Sequence, residues 1–91
     1  MGYTLYDVDG YVDVLGSAHA LWVLLLGIEK IDKTGLLYDF VVTGKTRDPE
    51  GVIEDIVKIL PQINDVNVKS SLETLQEKLQ KCKEIALIED E

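Results

Sequence analysis

The run Ala20 to Ile28, A-L-W-V-L-L-L-G-I, is the strongest apolar stretch in the chain and sets the terms for any fold built from it. Ser17 has the short oxygen-bearing side chain of a helix N-cap, so the run reads as a helix from Ser17 to about Ile31, closed by Lys33-Thr34-Gly35. Apolar residues lie on most sides of it, and a helix of that kind is expected to be covered on both. It falls short of the roughly 20 apolar residues that span a bilayer, and no basic segment precedes it as a signal peptide requires. It is therefore a core helix of a non-membrane protein, with Trp22 as packing and His19 as a core or rim residue.

The flanking segments alternate in type. Tyr3 to Asp7 is aromatic and β-branched enough for a strand, and Gly10 and Gly16 bracket a short irregular piece, Tyr11 to Leu15. Leu36 to Thr43, L-L-Y-D-F-V-V-T, is nearly continuous in apolar residues, as a strand buried between helices would be, and Gly44 breaks it. Asp48-Pro49-Glu50 starts a helix whose Val52, Ile53, Ile56, Ile59 and Leu60 fall at helical spacing, and Pro61 stops or kinks it. Asp65 to Lys69 reads as a short third strand. Ser70 or Ser71 caps a further helix from Leu72 to about Lys83, with Leu72, Leu75 and Leu79 on one face. The last piece, E-I-A-L-I-E-D-E, reads as a fourth strand. The order β-α-β-α-β-α-β predicts one α/β domain over residues 1–91, a small three-layer, Rossmann-like parallel sheet with helices on both faces.

Charge limits the partners. Nine basic against 17 acidic residues give a net charge of -8, which repels a phosphate backbone and speaks against nucleic acid. The one cysteine, Cys82, has no partner for an internal disulfide and no clustered Cys or His for zinc, so a reducing cytoplasm is the expected compartment.

In a parallel sheet, ligands gather at the carboxyl ends of the strands, here Asp7 with Asp9, Thr43 with Gly44, Lys69, and Glu89 with Asp90. Residues two apart on an extended chain point the same way, so Asp7 and Asp9 can share a site. Two such carboxylates call for a cation between them, and Mg²⁺ suits a few carboxylate oxygens, water and phosphate. These segments resemble the four motifs of the haloacid dehalogenase-like (HAD) phosphohydrolases: Asp7-Val8-Asp9-Gly10 the first, V-V-T-G the second, Lys69 the third-motif lysine and I-A-L-I-E-D the fourth. Tyr11 departs from the Thr or Val usual after the first. The resemblance implies a Mg²⁺-dependent phosphatase or phosphotransferase acting on a small phosphorylated substrate. Asp7 would form an aspartyl-phosphate, and Asp9 would act as acid and then base. Thr43, Gly44 and Lys69 would hold phosphate, and Glu89 or Asp90 would complete the metal shell with Asp7 and Asp9.

Other readings compete. Asp9-Gly10 is also a two-residue hairpin turn pairing Val8 with Tyr11, and taken alone it favours that reading. A calcium loop starting near Leu5 lacks its first acid and its closing Glu, where Gly16 stands. Gly44-Lys45-Thr46 lacks the first glycine of a phosphate-binding loop, because Asp39 stands there. Glu89-Asp90-Glu91 reads equally as an acidic tail. The alternative function is a non-enzymatic acidic interaction or regulatory module, with a basic protein partner or a homo-oligomer as its target.

Overall fold

The computed structural model describes residues 2–90. Its first two elements form a hairpin. Strand β1 (Gly2–Asp7) pairs antiparallel with β2 (Gly10–Ser17) across a two-residue turn at Val8-Asp9, so Asp7 faces Gly10 and Tyr6 faces Tyr11. Gly10 supplies the positive φ, 114°, that leads the chain out of the turn. The pairing slips twice, once between Tyr3 and Thr4 and once between Leu5 and Tyr6. Each slip sets one extra residue on β2, which is why eight residues there match six on β1.

Helix α1 (Ala18–Glu29) follows directly. The Ser17 hydroxyl accepts from the Ala20 N–H at 3.1 Å, as its N-cap role requires. Helix α2 (Leu36–Thr43) comes next, then a two-residue strand β3 (Lys45–Thr46) and helix α3 (Pro49–Ile59). Asp48 caps α3 by accepting from Gly51 N–H at 2.9 Å, and Pro49 occupies its first turn. A 3-10 turn at Leu60–Gln62 carries Pro61. Helix α4 (Val66–Leu79) and strand β4 (Ala86–Asp90) complete the chain.

The sheet order is β2-β1-β4-β3 and every pairing is antiparallel. This overturns the expected parallel, Rossmann-like sheet with helices on both faces; the protein is a four-stranded antiparallel α+β domain. The cause lies in the connections. A tight turn after β1 forces its neighbour to run back, whereas a parallel pair needs a long crossover. The expected fourth strand is present as β4, with its last residue, Glu91, outside the described residues. It runs antiparallel to both β1 and β3.

Two expected strands are helices. Leu36 to Thr43 puts Leu37, Phe40 and Val41 on one buried face at helical spacing, and Gly44, with φ of 78°, ends it by donating to the Phe40 carbonyl at 2.7 Å. Asp65 to Lys69 is the cap and first turn of α4, because the Asp65 carboxylate accepts from Asn67 and Val68 N–H at 2.8 and 3.4 Å.

The core lies between the helices and one sheet face. Leu5 and Ala86 from the strands meet Leu24, Ile28, Leu37, Phe40, Val52, Ile56, Leu72 and Leu79 from the helices. Tyr6 and Tyr11 lie on the opposite face with their rings edge-on, 6.3 Å apart at 83°. Tyr11 and Val14 are exposed there, while Thr4 on the same face is buried. Helix α4 and the turn after it tie down the free edge of β2: Lys78 Nζ donates to the Val14 carbonyl and Lys81 Nζ, two residues past the helix, pairs with Asp13 at 2.8 Å. Cations placed along an edge also discourage stray strand pairing. Among the described residues, no helix is long and apolar enough to cross a membrane.

Candidate functional site

Asp7 ends β1 with its side chain nearly buried, and its oxygens are committed to backbone. Oδ2 accepts from Lys83 N–H at 2.6 Å; Oδ1 accepts from Val8 N–H at 2.6 Å and Ile85 N–H at 3.2 Å. These bonds, led by that from Lys83, hold the Asp7 carboxyl below the ordinary carboxylate range. Its visible work is to bind the segment between α4 and β4 to the end of β1.

Asp9 sits exposed in the hairpin turn. Thr43 is the last residue of α2, where its hydroxyl donates to the Asp39 carbonyl at 2.8 Å, and the Gly44 carbonyl accepts from Ile88 N–H at 2.7 Å. Lys69 is exposed in the first turns of α4. Glu89 and Asp90 are exposed at the end of β4, opposite Thr4 and Tyr3 at the start of β1. Asp7 and Asp90 therefore lie at opposite ends of a strand pair. Four residues of strand, roughly 14 Å at about 3.4 Å per residue, separate their levels. The seven residues expected to share one site are distributed over the hairpin turn, the far-apart ends of β1 and β4, the end and cap of α2 and the first turns of α4. Among the described residues, no three His, Cys, Asp or Glu side chains converge as metal ligands.

Thr43 does line an open cleft with Lys45 and Arg47. Asp39, Asp48 and Glu84 line the same cleft, so its two cations are outnumbered and it offers no net attraction to phosphate.

The feature that stands apart is the outer face of α1. The helix packs between α2 and α4 and buries Leu24 and Ile28, yet Trp22 is 59% and Leu26 42% exposed. No formal charge falls between Ser17 and Glu29. Trp22 shares a shallow depression with Tyr3, Ala18, His19, Leu21, Leu25 and Val41. The sequence predicts Trp22 as packing and the helix as covered on both sides; the structure leaves Trp22 exposed. The signal was present in the all-round apolar pattern, but this chain covers only one side.

No family model, curated protein or solved structure matches the chain.

Proposed function

We propose that the protein is a non-enzymatic interaction module that docks through the outer face of α1. One observation carries the reading: Trp22, 59% exposed, stands within the uncharged stretch of α1 from Ala18 to Ile28. Fully burying a large apolar side chain contributes about 1.5–3 kcal/mol, and Trp is among the residues that dominate protein interfaces. A partner that covers Trp22 and Leu26 would capture that energy. The chain's net charge of -8 confines close approach of another acidic surface to that uncharged stretch. The free, buried Cys82 agrees with action in a reducing cytoplasm.

The aspartyl-phosphate reading rests on Asp7 as a free nucleophile, whereas both Asp7 oxygens accept backbone N–H groups. Two measurements decide between the readings. A photoreactive residue replacing His19 or Leu26 should give crosslinked adducts in cells, and one replacing Asn67 or Gln80, exposed on α4 or at its end, should give none. Equal adduct formation at both pairs of positions, or none at either, would sink the interaction reading. Purified protein with Mg²⁺ should leave an aryl phosphate intact; turnover abolished by Asp7→Asn would restore the hydrolase.

A further inference from the structure

Resting on that reading, we propose that the occupant of the α1 face is the same face of a second copy, packed antiparallel about a two-fold axis at Leu24. The outward stripe of α1 consists of the exposed His19, Trp22 and Leu26 and the half-exposed Glu29, spaced by three, four and three residues along the helix; Glu29 also lies 3.7 Å from the ammonium of its own Lys33, a solvent-exposed pair that leaves a carboxylate oxygen for His19. Trp22 and Leu26 lie two residues either side of Leu24. His19 and Glu29 lie five residues either side of it. In a two-fold contact, residue i meets j and j meets i. Trp22 then rests on Leu26 of the other copy, and the His19 imidazole donates to the Glu29 carboxylate, each twice over. Val23 and Leu25, one residue either side of the axis, flank the seam, and Lys30 falls opposite the uncharged Ala18.

Charge fixes both the direction and the place. A parallel pairing would set Glu29 against Glu29 and His19 against His19, so the antiparallel arrangement is the one the stripe favours. Elsewhere two copies, each at -8, repel. The uncharged stretch between Ser17 and Glu29 is where they approach at least electrostatic cost. The size of the contact sets its strength. A helix of 12 residues is about 18 Å long, and two such helices in contact bury well under the ~800 Å² per partner of a standard stable interface. The dimer is therefore a weak one, forming in the micromolar range.

Sedimentation equilibrium across low-micromolar to near-millimolar concentration tests this. The mass should climb from 10.2 kDa toward twice that value, while Trp22 emission shifts to the blue as the ring leaves water. Leu26→Lys, at an exposed position, should remain a monomer at every concentration with unchanged circular dichroism. His19→Glu puts acid against acid and should weaken the dimer roughly ten-fold. Adding Glu29→His to it exchanges the two partners and should restore the dimer to within about two-fold of wild type. An acid in the first turn and the loss of one from the last both suit the dipole of α1, so the monomer should fold as before. A wild type that stays monomeric, a dimer indifferent to Leu26→Lys, or a double exchange as weak as the single change would overturn the proposal. If the protein is monomeric yet Leu26 crosslinks to another protein, the two-fold dimer fails and the interaction reading survives. If neither dimer nor crosslink forms, both fail.

Discussion

Asp7 illustrates how a residue's surroundings decide its role. On paper it is the first of two aspartates after a strand, a pattern shared by catalytic sites and hairpin turns. The partners that settle its role, the Lys83 and Ile85 N–H groups, lie 76 and 78 residues away and could not be read from the local motif. An amide in place of the carboxylate keeps one acceptor and turns an N–H₂ toward a backbone donor, leaving that donor without its bond. Asp7→Asn should therefore lower the melting temperature by about 5 °C or more. An unchanged melting curve would show that these bonds contribute nothing to stability. Cys82 offers a second check on the same corner. Burial, and secondarily the nearby Asp7 charge, push its thiol up to about 11, so at pH 8 it is protonated and shielded. A disulfide reagent should label it in the native state far more slowly than in denaturant, and Asp7→Asn, by loosening the segment after α4, should speed native labelling. Labelling at the denatured rate in the folded wild type would contradict the buried placement.

The caps of α1 and α3 and the apolar face of α4 were legible in the sequence, whereas the start of α4 was not: Asp65 caps it, and Ser70 and Ser71, expected as its cap, lie inside it. The Ser17 cap of α1, the Asp48-Pro49 start of α3 and the Leu72, Leu75, Leu79 face of α4 all stand where their local chemistry puts them. Helix α2 was not, because its start is satisfied from a distance. The Leu37 N–H donates to Asp55 of α3 at 3.0 Å, and a Cβ at Gly35 would come within 2.4 Å of that carboxylate. Without a local cap, a short apolar run such as L-L-Y-D-F-V-V-T reads equally as strand. The β2 strand was blurred for a different reason: its two bulges disrupt the alternation by which strands are recognised. The end of α2 supplies a test of the helical assignment. Gly44 holds a left-handed φ of 78°, and an added Cβ would lie 3.3 Å from the Ile88 carbonyl oxygen. Gly44→Ala should cost about 1–2 kcal/mol in chemical denaturation, whereas Gly44→Asn, which tolerates that conformation better, should cost less. Equal losses for the two would point to crowding at Ile88 as the cause in place of backbone conformation.

For the whole molecule, acidity acts in two opposed directions as pH changes. At neutral pH the charge of -8 makes the folded state repel itself, and the unfolded chain relieves this by spreading its charges. Lowering the pH toward the isoelectric point near 4.5 protonates exposed carboxylates and removes that repulsion, so stability should first rise. Three carboxylates resist. Asp7 is held low chiefly by the Lys83 N–H, Asp13 by its hydrogen bond from Lys81, and Asp32 by the Thr34 hydroxyl. Because their folded values lie below the unfolded one, their stabilisation is complete above about pH 4 and is lost as pH falls through the folded values. The unfolded chain takes up those protons first, and below about pH 4 this draws the equilibrium toward unfolding. The two trends place the stability maximum between about pH 4.5 and 6, on the acid side of neutral. Melting temperatures of dilute protein across pH 3 to 8 should trace that dome, and added sodium chloride should flatten its rise from neutral pH while leaving the fall below pH 4 in place. The Asp7→Asn variant, already lacking one of the three carboxylates, should show a shallower acid limb. A curve that falls steadily from pH 7 downward would mean that self-repulsion is negligible in this fold and that specific carboxylate bonds alone govern its response to acid.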